Sequence, residues 1–197
     1  HAFELREFSP GGGFAIQYVL DSPAPSTGDY AEAITSALLG YSSELKLSPP
    51  RLIIEPGRGI VGQAGIALYR VGGAKEIPGI RKYIFVDGGM GDNVRPALYG
   101  SKYEALVANK AGEAETEQVS VAGKFCESGD ILIKDVYLPK VEEGDILAVP
   151  ACGAYSLPMA SNYNASLKPA IVLVKEGQAH LIRRQETYED LIRCDLL

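Results

Sequence analysis

The spacing of apolar residues changes character near residue 60, and that change commits the chain to a composite architecture. Before it, "FELREF" (3–8) alternates apolar and polar side chains as a strand does and runs into Pro10 and three glycines. Tyr30, Ile34, Leu38, Tyr41 and Leu45 then recur at helical spacing after the turn-rich "DSPAPSTGD", and "RLIIEPGR" (51–58) reads as a short strand ended by Pro56 and Gly57. Strand, helix, strand in this order predicts a parallel pair packed under a helix. Two parallel strands and one helix cannot cover both faces of a sheet, so this region needs further packing. Either a helix-rich region precedes His1 in a parent protein, or the stretch docks onto something else.

After residue 60 the texture is mostly β. "IVGQAGIALYRVGG", "RKYIFVDGG", "TEQVSVAG", "DILIKDVYLP", "DILAVP", "PAIVLVK" and "QAHLIRR" are separated by Gly, Pro and acidic turns. An antiparallel barrel or sandwich is their natural packing, with short helices expected in "AYSLPMAS" and "ETYEDLIRC". The predicted organisation is α/β over 1–60 and a β domain over 61–197.

A net charge of -6 without a clustered Lys/Arg stripe argues against nucleic acid or an anionic membrane as partner. No apolar run approaches the 18 residues of a membrane span, and the N-terminal stretch has no secretory-signal pattern, so a cytoplasmic location is expected. Cys126, Cys152 and Cys194 are odd in number and widely spaced, and only His1 and His180 could join them, which supports neither a disulfide framework nor a metal site.

Two loops could cradle an anion. Gly11, Gly12 and Gly13 follow one strand, and Gly57 follows another with Arg58 beside it. Glycine lets backbone N–H groups converge on a phosphate, and a guanidinium adds charge-assisted bonds. Each feature also reads as an ordinary turn. Glu55 beside such a site requires a cation between carboxylate and phosphate, and a protonated pyridine nitrogen would supply one.

"GGGF", "EPGR", "DGGMGDNVRPALYG", "CESGD" and "GAYSLPMASNYN" stand in the order and spacing of the pyridoxal 5'-phosphate (PLP) decarboxylases of fold type III, and the chain resembles that family from about Gly11 to Val174. The resemblance implies the last βα units of a PLP-binding (β/α)8 barrel followed by a C-terminal antiparallel β-barrel or sandwich domain. It also implies a homodimer whose active sites lie between subunits. By the same resemblance Gly11, Gly12, Gly13, Gly57 and Arg58 hold the phosphate, and Glu55 pairs with the pyridinium nitrogen. Arg58, Arg95 and Tyr99 bind the substrate carboxylate, and Tyr155 touches cofactor and substrate. Without the motif, Arg95 reads as a surface ion-pair residue and Tyr99 as an edge-strand aromatic.

Cys126 matches the thiol that the family supplies from the partner subunit to return a proton after decarboxylation, whereas cysteine usage alone favours an inert buried thiol. Glu127 matches the position facing the distal end of the amino acid, where a carboxylate pairs with an ammonium group. "CESGD" is the wording of the family's diaminopimelate-acting members, so the expected reaction is conversion of meso-diaminopimelate to L-lysine and carbon dioxide. An ornithine- or arginine-type decarboxylase, or a non-catalytic regulatory relative, is the alternative. The family's Schiff-base lysine lies in a motif that has no match here, so the chain reads as the C-terminal half of such an enzyme, inactive in isolation.

Overall fold

A computed structural model describes residues 4–196. They form two compact units, one built from the residues up to Ile66 together with Ala151–Ala154, the other from Ala67–Pro150 and the residues from Tyr155 onward.

In the first unit, strand β1 (Glu7–Phe8) pairs in parallel with β2 (Arg51–Leu52) across helix α1 (Thr27–Glu44), the expected strand–helix–strand order. Phe3, the first residue of the predicted strand, lies outside the described residues. Helix α1 begins where Ser26 and Asp29 satisfy one another: the Asp29 N–H donates to Ser26 Oγ at 3.1 Å and the Ser26 N–H donates to Asp29 Oδ2 at 2.7 Å. Such a reciprocal cap occupies two of the donors that a helix start leaves without partners. The predicted apolar stripe is present but poorly covered. Ile34, Leu38, Tyr41 and Leu45 line a cavity of about 490 Å³ with Leu5, Phe8 and Leu47, and Tyr41 is 65 % exposed. The α/β unit therefore leaves one apolar face open, as two strands and a helix must.

Ile60 and Val61, expected in a strand, instead belong to helix α2 (Gly57–Val61), which continues as a 3₁₀ turn over Gly62–Ala64. Residues 151–154 cross this turn at van der Waals contact. The Cys152 N–H donates to the Gly65 carbonyl at 2.8 Å, and the Gly153 N–H donates to that of Gly62 at 2.9 Å. A Cβ on Gly153 would fall on the Val61 carbonyl, and one on Gly65 would fall on the Gly153 backbone. Both positions require glycine because backbone meets backbone.

The second unit holds a six-stranded sheet formed by β3 (Ala67–Ile77), β4 (Arg81–Val86), β5 (Leu106–Val107), β6 (Glu117–Ala122), β7 (Ile131–Leu138) and β8 (Ile146–Val149), in the order β5-β8-β3-β4-β6-β7. Every neighbouring pair is antiparallel except β4–β6, which is parallel. Alternation sets the core face: Tyr69 and Val71 of β3, Ile84 and Val86 of β4, and Val119 and Val121 of β6 are buried. Ile84, Leu138 and Leu147 are completely enclosed, each worth about 1.5–3 kcal/mol relative to exposure. Helix α3 (Arg95–Tyr99) lies between β4 and β5, and strands β9 (Ile171–Lys175) and β10 (Gln178–Arg183) form a separate antiparallel hairpin followed by helix α4 (Tyr188–Ile192). The helix expected in "AYSLPMAS" is a single 3₁₀ turn over Leu157–Met159, whereas that in "ETYEDLIRC" is α4.

Gly153→Ala is expected to destabilise the protein by about 3 kcal/mol, at the upper end for overpacking, because a carbonyl rather than a flexible side chain opposes the methyl. At this chain length that corresponds to a fall in Tm of about 6–12 °C. Gly112→Ala, with open space around it, serves as the control and should stay within about 0.5 kcal/mol. Equal thermal melts for the two variants would contradict the crossing.

Candidate functional site

In the first unit the glycine loop and the strand β2 end come together. The Glu55 N–H donates to the Gly11 carbonyl at 3.2 Å, Ser9 Oγ donates to Glu55 Oε1 at 2.9 Å, and the Gly11 N–H donates to Ser9 Oγ at 3.1 Å. Gly11 and Gly13 adopt φ of 81° and 84°, and a Cβ on Gly12 would lie 2.6 Å from the Glu55 carbonyl oxygen. The loop thus closes against Glu55 only because it lacks side chains. Arg58 braces it from the opposite end: Nε donates to the Phe14 carbonyl at 2.9 Å and Nη2 to that of Gly13 at 3.0 Å. Two nitrogens of the guanidinium are committed to holding the loop, which leaves Nη1 for an anion. Gly12, Gly13, Gly57 and Glu55 are exposed. A bare glycine backbone with an adjacent guanidinium and a hydrogen-bonded carboxylate fits the phosphate and ring nitrogen of PLP.

In the second unit two loops meet because β4 and β6 are parallel neighbours, so both strands release their chains at the same end of the sheet. The loop after β4 contains "DGGMGDNV" and the loop after β6 contains "GKFCESGD". Asp130, buried to 2 % exposure, joins them: its Oδ1 accepts the Met90 N–H at 2.6 Å and its Oδ2 accepts the Phe125 N–H at 2.9 Å. The Lys124 N–H also donates to the Gly88 carbonyl at 2.9 Å. A Cβ on Gly89 would lie 2.5 Å from Asp130 Oδ1, and one on Gly123 would strike the same carboxylate. Burial pushes the Asp130 pKa up, an effect opposed by the Phe125 and Met90 N–H groups and by Lys124. Asp92, which accepts the Gly89 N–H at 3.1 Å, is also raised by burial.

Cys126 and Glu127 project from the top of this second loop, both exposed. Glu127 Oε2 lies 3.5 Å from the Tyr163 hydroxyl and Oε1 lies 3.3 Å from that of Ser128, distances at the outer limit of hydrogen bonding. The Tyr163 ring meets Phe125 edge-on at 5.6 Å, and Phe125 itself packs against Gly91.

Arg95 opens helix α3 and is 8 % exposed, which removes the surface ion-pair reading. Its Nη1 donates to the Tyr103 hydroxyl at 2.7 Å, and its guanidinium carbon lies 5.8 Å from the Tyr103 ring and 5.9 Å from the Tyr155 ring. A guanidinium within about 6 Å of an aromatic ring recovers part of its lost hydration, about 0.5–2 kcal/mol per contact. Tyr155 has φ of 62°, a left-handed conformation that costs a bulky residue about 1–3 kcal/mol and clusters at functional sites. Tyr99 ends α3 and is exposed, on a helix rather than an edge strand.

Asp130 and Tyr103 escaped the sequence reading. Asp130 closes the quoted "CESGD", yet only the parallel pairing shows what it reaches, and Tyr103 lies in "SKYEALV", which carries no motif of its own. No helix among the described residues is long and apolar enough to cross a membrane.

Residues 17–153 match the family described as pyridoxal-dependent decarboxylase, C-terminal sheet domain, which is more than half of the chain. The chain belongs to that family. It is 50% identical over 196 residues to the diaminopimelate decarboxylase of Bacillus subtilis, covering all of this chain and 45% of that protein. Among solved structures it is similar to the diaminopimelate decarboxylase of M. jannaschii in complex with L-lysine, with TM-score 0.89, 40% identity, and 99% of this chain and 44% of that one covered. The Helicobacter pylori enzyme, also complexed with L-lysine, gives TM-score 0.84 at 34% identity over 97% of this chain and 45% of that one. The chain thus spans a little under half the length of these relatives.

The raised pKa of Asp130 makes a signed prediction. The folded chain holds this proton more tightly than the unfolded chain, so the residue's contribution to stability falls as pH climbs from the ordinary carboxylate pKa, about 4, through the raised value. In Asp130→Asn the slope disappears. Urea melts should show the stability of the unmodified protein, relative to the variant, decreasing as pH rises above about 4; a difference that grows as pH rises would contradict burial as the dominant influence.

Proposed function

We propose that this chain is the C-terminal part of a PLP-dependent decarboxylase that converts meso-diaminopimelate to L-lysine and carbon dioxide. The observation that carries the reading is the loop over 123–130, which presents a thiol and a carboxylate side by side to solvent from a buried anchor. The relatives at 34–50% identity that bear this name support it. Residues 1–60 are assigned to the closing βα units of a (β/α)8 barrel and 61–197 to the β domain. The protein is assigned to the cytoplasm as a homodimer with shared active sites.

Gly11, Gly12, Gly13, Gly57 and the free edge of Arg58 hold the cofactor phosphate, and Glu55 keeps the ring nitrogen protonated, with Ser9 orienting its carboxylate. When bound, PLP supplies an electron sink for the bond electrons left behind by departing carbon dioxide. Arg58, Arg95 and Tyr99 receive the substrate carboxylate, Arg95 from its cage of Tyr103 and Tyr155. Glu127 pairs with the distal ammonium group, and Tyr155 touches cofactor and substrate. Cys126, from the partner subunit, delivers a proton from Sγ to the carbon that has lost its carboxylate.

Glu127→Ala in a full-length enzyme carrying this chain should cost about 2–5 kcal/mol of transition-state stabilisation on diaminopimelate, read as a fall in kcat/KM. Unchanged kcat/KM, or better turnover of ornithine than of diaminopimelate by the unmodified enzyme, removes the substrate assignment.

Shared sites make a second prediction. Subunits with Cys126→Ala mixed with subunits carrying Glu55→Ala should regain activity, since one of the two sites in each heterodimer has both residues intact. Isolated heterodimers as inactive as the parents would place Cys126 and Glu55 in one subunit's site.

A further inference from the structure

The geometry points to Asp130 as the positioning residue of the Cys126–Glu127 loop: its buried carboxylate, bonded to the Met90 and Phe125 N–H groups, fixes where that loop stands against the "DGGMGD" loop. The functional consequence rests on the roles proposed above for Cys126 and Glu127.

The loop's neck is closed by backbone alone. The Gly123 N–H donates to the Asp130 carbonyl at 2.9 Å, and the Asp130 N–H donates to the Glu127 carbonyl at 3.1 Å. These bonds tie the loop to itself, and neither determines its lean. Contacts to the neighbouring loop do so: Asp130 to Met90, the Lys124 N–H to the Gly88 carbonyl, and the Phe125 ring against Gly91. Of these, only Asp130 grips both loops at once with a group that carries full charge, and a charged acceptor forms the stronger bond to an amide. The glycines complete the argument. At Gly89 and Gly123 a side chain would occupy the volume of the carboxylate, so space for Asp130 is kept clear from both loops. A group that served packing alone would need neither charge nor two amides converging on opposite oxygens. Burial leaves this carboxylate costly to keep, as its raised pKa also indicates.

Two substitutions separate the carboxylate's charge from its place. Asp130→Asn keeps size and shape but leaves one oxygen to accept, so either the Met90 or the Phe125 N–H loses its partner. Gly123→Ala keeps the charge and displaces the carboxylate. Hydrogen exchange reads the loop directly: in both variants amides over 123–130 should exchange on the order of tenfold faster, with β7 amides unchanged. The second readout is steady-state kinetics on diaminopimelate in the full-length enzyme. Misplacement by an ångström of groups that bind and protonate substrate costs on the order of 100-fold in kcat/KM. The loss should divide between a higher KM, through Glu127, and a lower kcat, through Cys126. A merely unstable variant would lose folded fraction and hence kcat alone. Unaltered exchange over 123–130 in both variants overturns the proposal. Faster exchange with unchanged kinetics upholds Asp130 as the loop's anchor and instead refutes the roles given to Cys126 and Glu127.

Discussion

The parallel pairing of β4 with β6 is the constraint on which the second unit's site depends. Within a sheet otherwise made of antiparallel neighbours, each strand would send its chain out at the opposite end from the next. The single parallel pair breaks that rule once, at Tyr83–Ser120, Ile84–Val121 and Phe85–Ala122, and so delivers two loops to one edge. Everything at that edge follows from their proximity. Asp130 can reach Met90, forty residues away in sequence, and Phe125 can settle on Gly91.

What the sequence could reveal divides along the same line. Helix α1 and most strands were legible because periodicity is a local property, and α1 carries its own start in Ser26 and Asp29. Helices α2 and α3 were not: within five residues a helical period shows only where apolar residues fall three and four apart, as Tyr188, Leu191 and Ile192 do in the equally short α4. The only local marks on α3 are Pro96 in its first turn and Gly100, left-handed with φ of 62°, beyond its end. Ile60 and Val61 are β-branched and favour a strand by propensity, yet they lie in α2, so β3 begins only at Ala67. The parallel pair left no trace at all, because strand direction is decided by connections and not by composition. Asp130 was therefore visible as a residue and invisible as a contact. Arg95, Tyr99, Cys126 and Glu127 stand in recognisable motifs, yet the burial of Arg95 beside Tyr103 and Tyr155 depends on contacts that no local pattern displays.

The second unit keeps several costly arrangements, for which the roles proposed above for Arg95, Tyr155 and Asp130 give a reason. A guanidinium at 8 % exposure, a carboxylate at 2 % and a tyrosine in the left-handed region each cost free energy, and the fully apolar core of Ile84, Leu138 and Leu147 has no need of any of them. Replacing buried charges by apolar groups is often neutral or stabilising, so their presence asks for a reason beyond stability. Selection tolerates such residues where activity depends on them and the remaining core can carry the cost.

The distribution of exposure around the second loop sharpens this point. Cys126 and Glu127, the groups able to do chemistry, are exposed and weakly held, whereas Asp130 and the Phe125 amide beneath them are firmly bonded. Reactive side chains held by other side chains would have to share hydrogen bonds with their own supports. Here the support acts on backbone N–H groups, so the thiol and, beyond its long contacts to Tyr163, Ser128 and the Gly129 N–H, the Glu127 carboxylate keep bonding capacity for whatever approaches. The first unit follows the same logic with opposite charge: Arg58 grips the carbonyls of Phe14 and Gly13 and thereby presents the bare glycine backbone outward. In both units a charged side chain orders a loop through its main chain; the bare Gly89 and Gly123 leave room for the Asp130 carboxylate, and Gly12 leaves room for the Glu55 carbonyl.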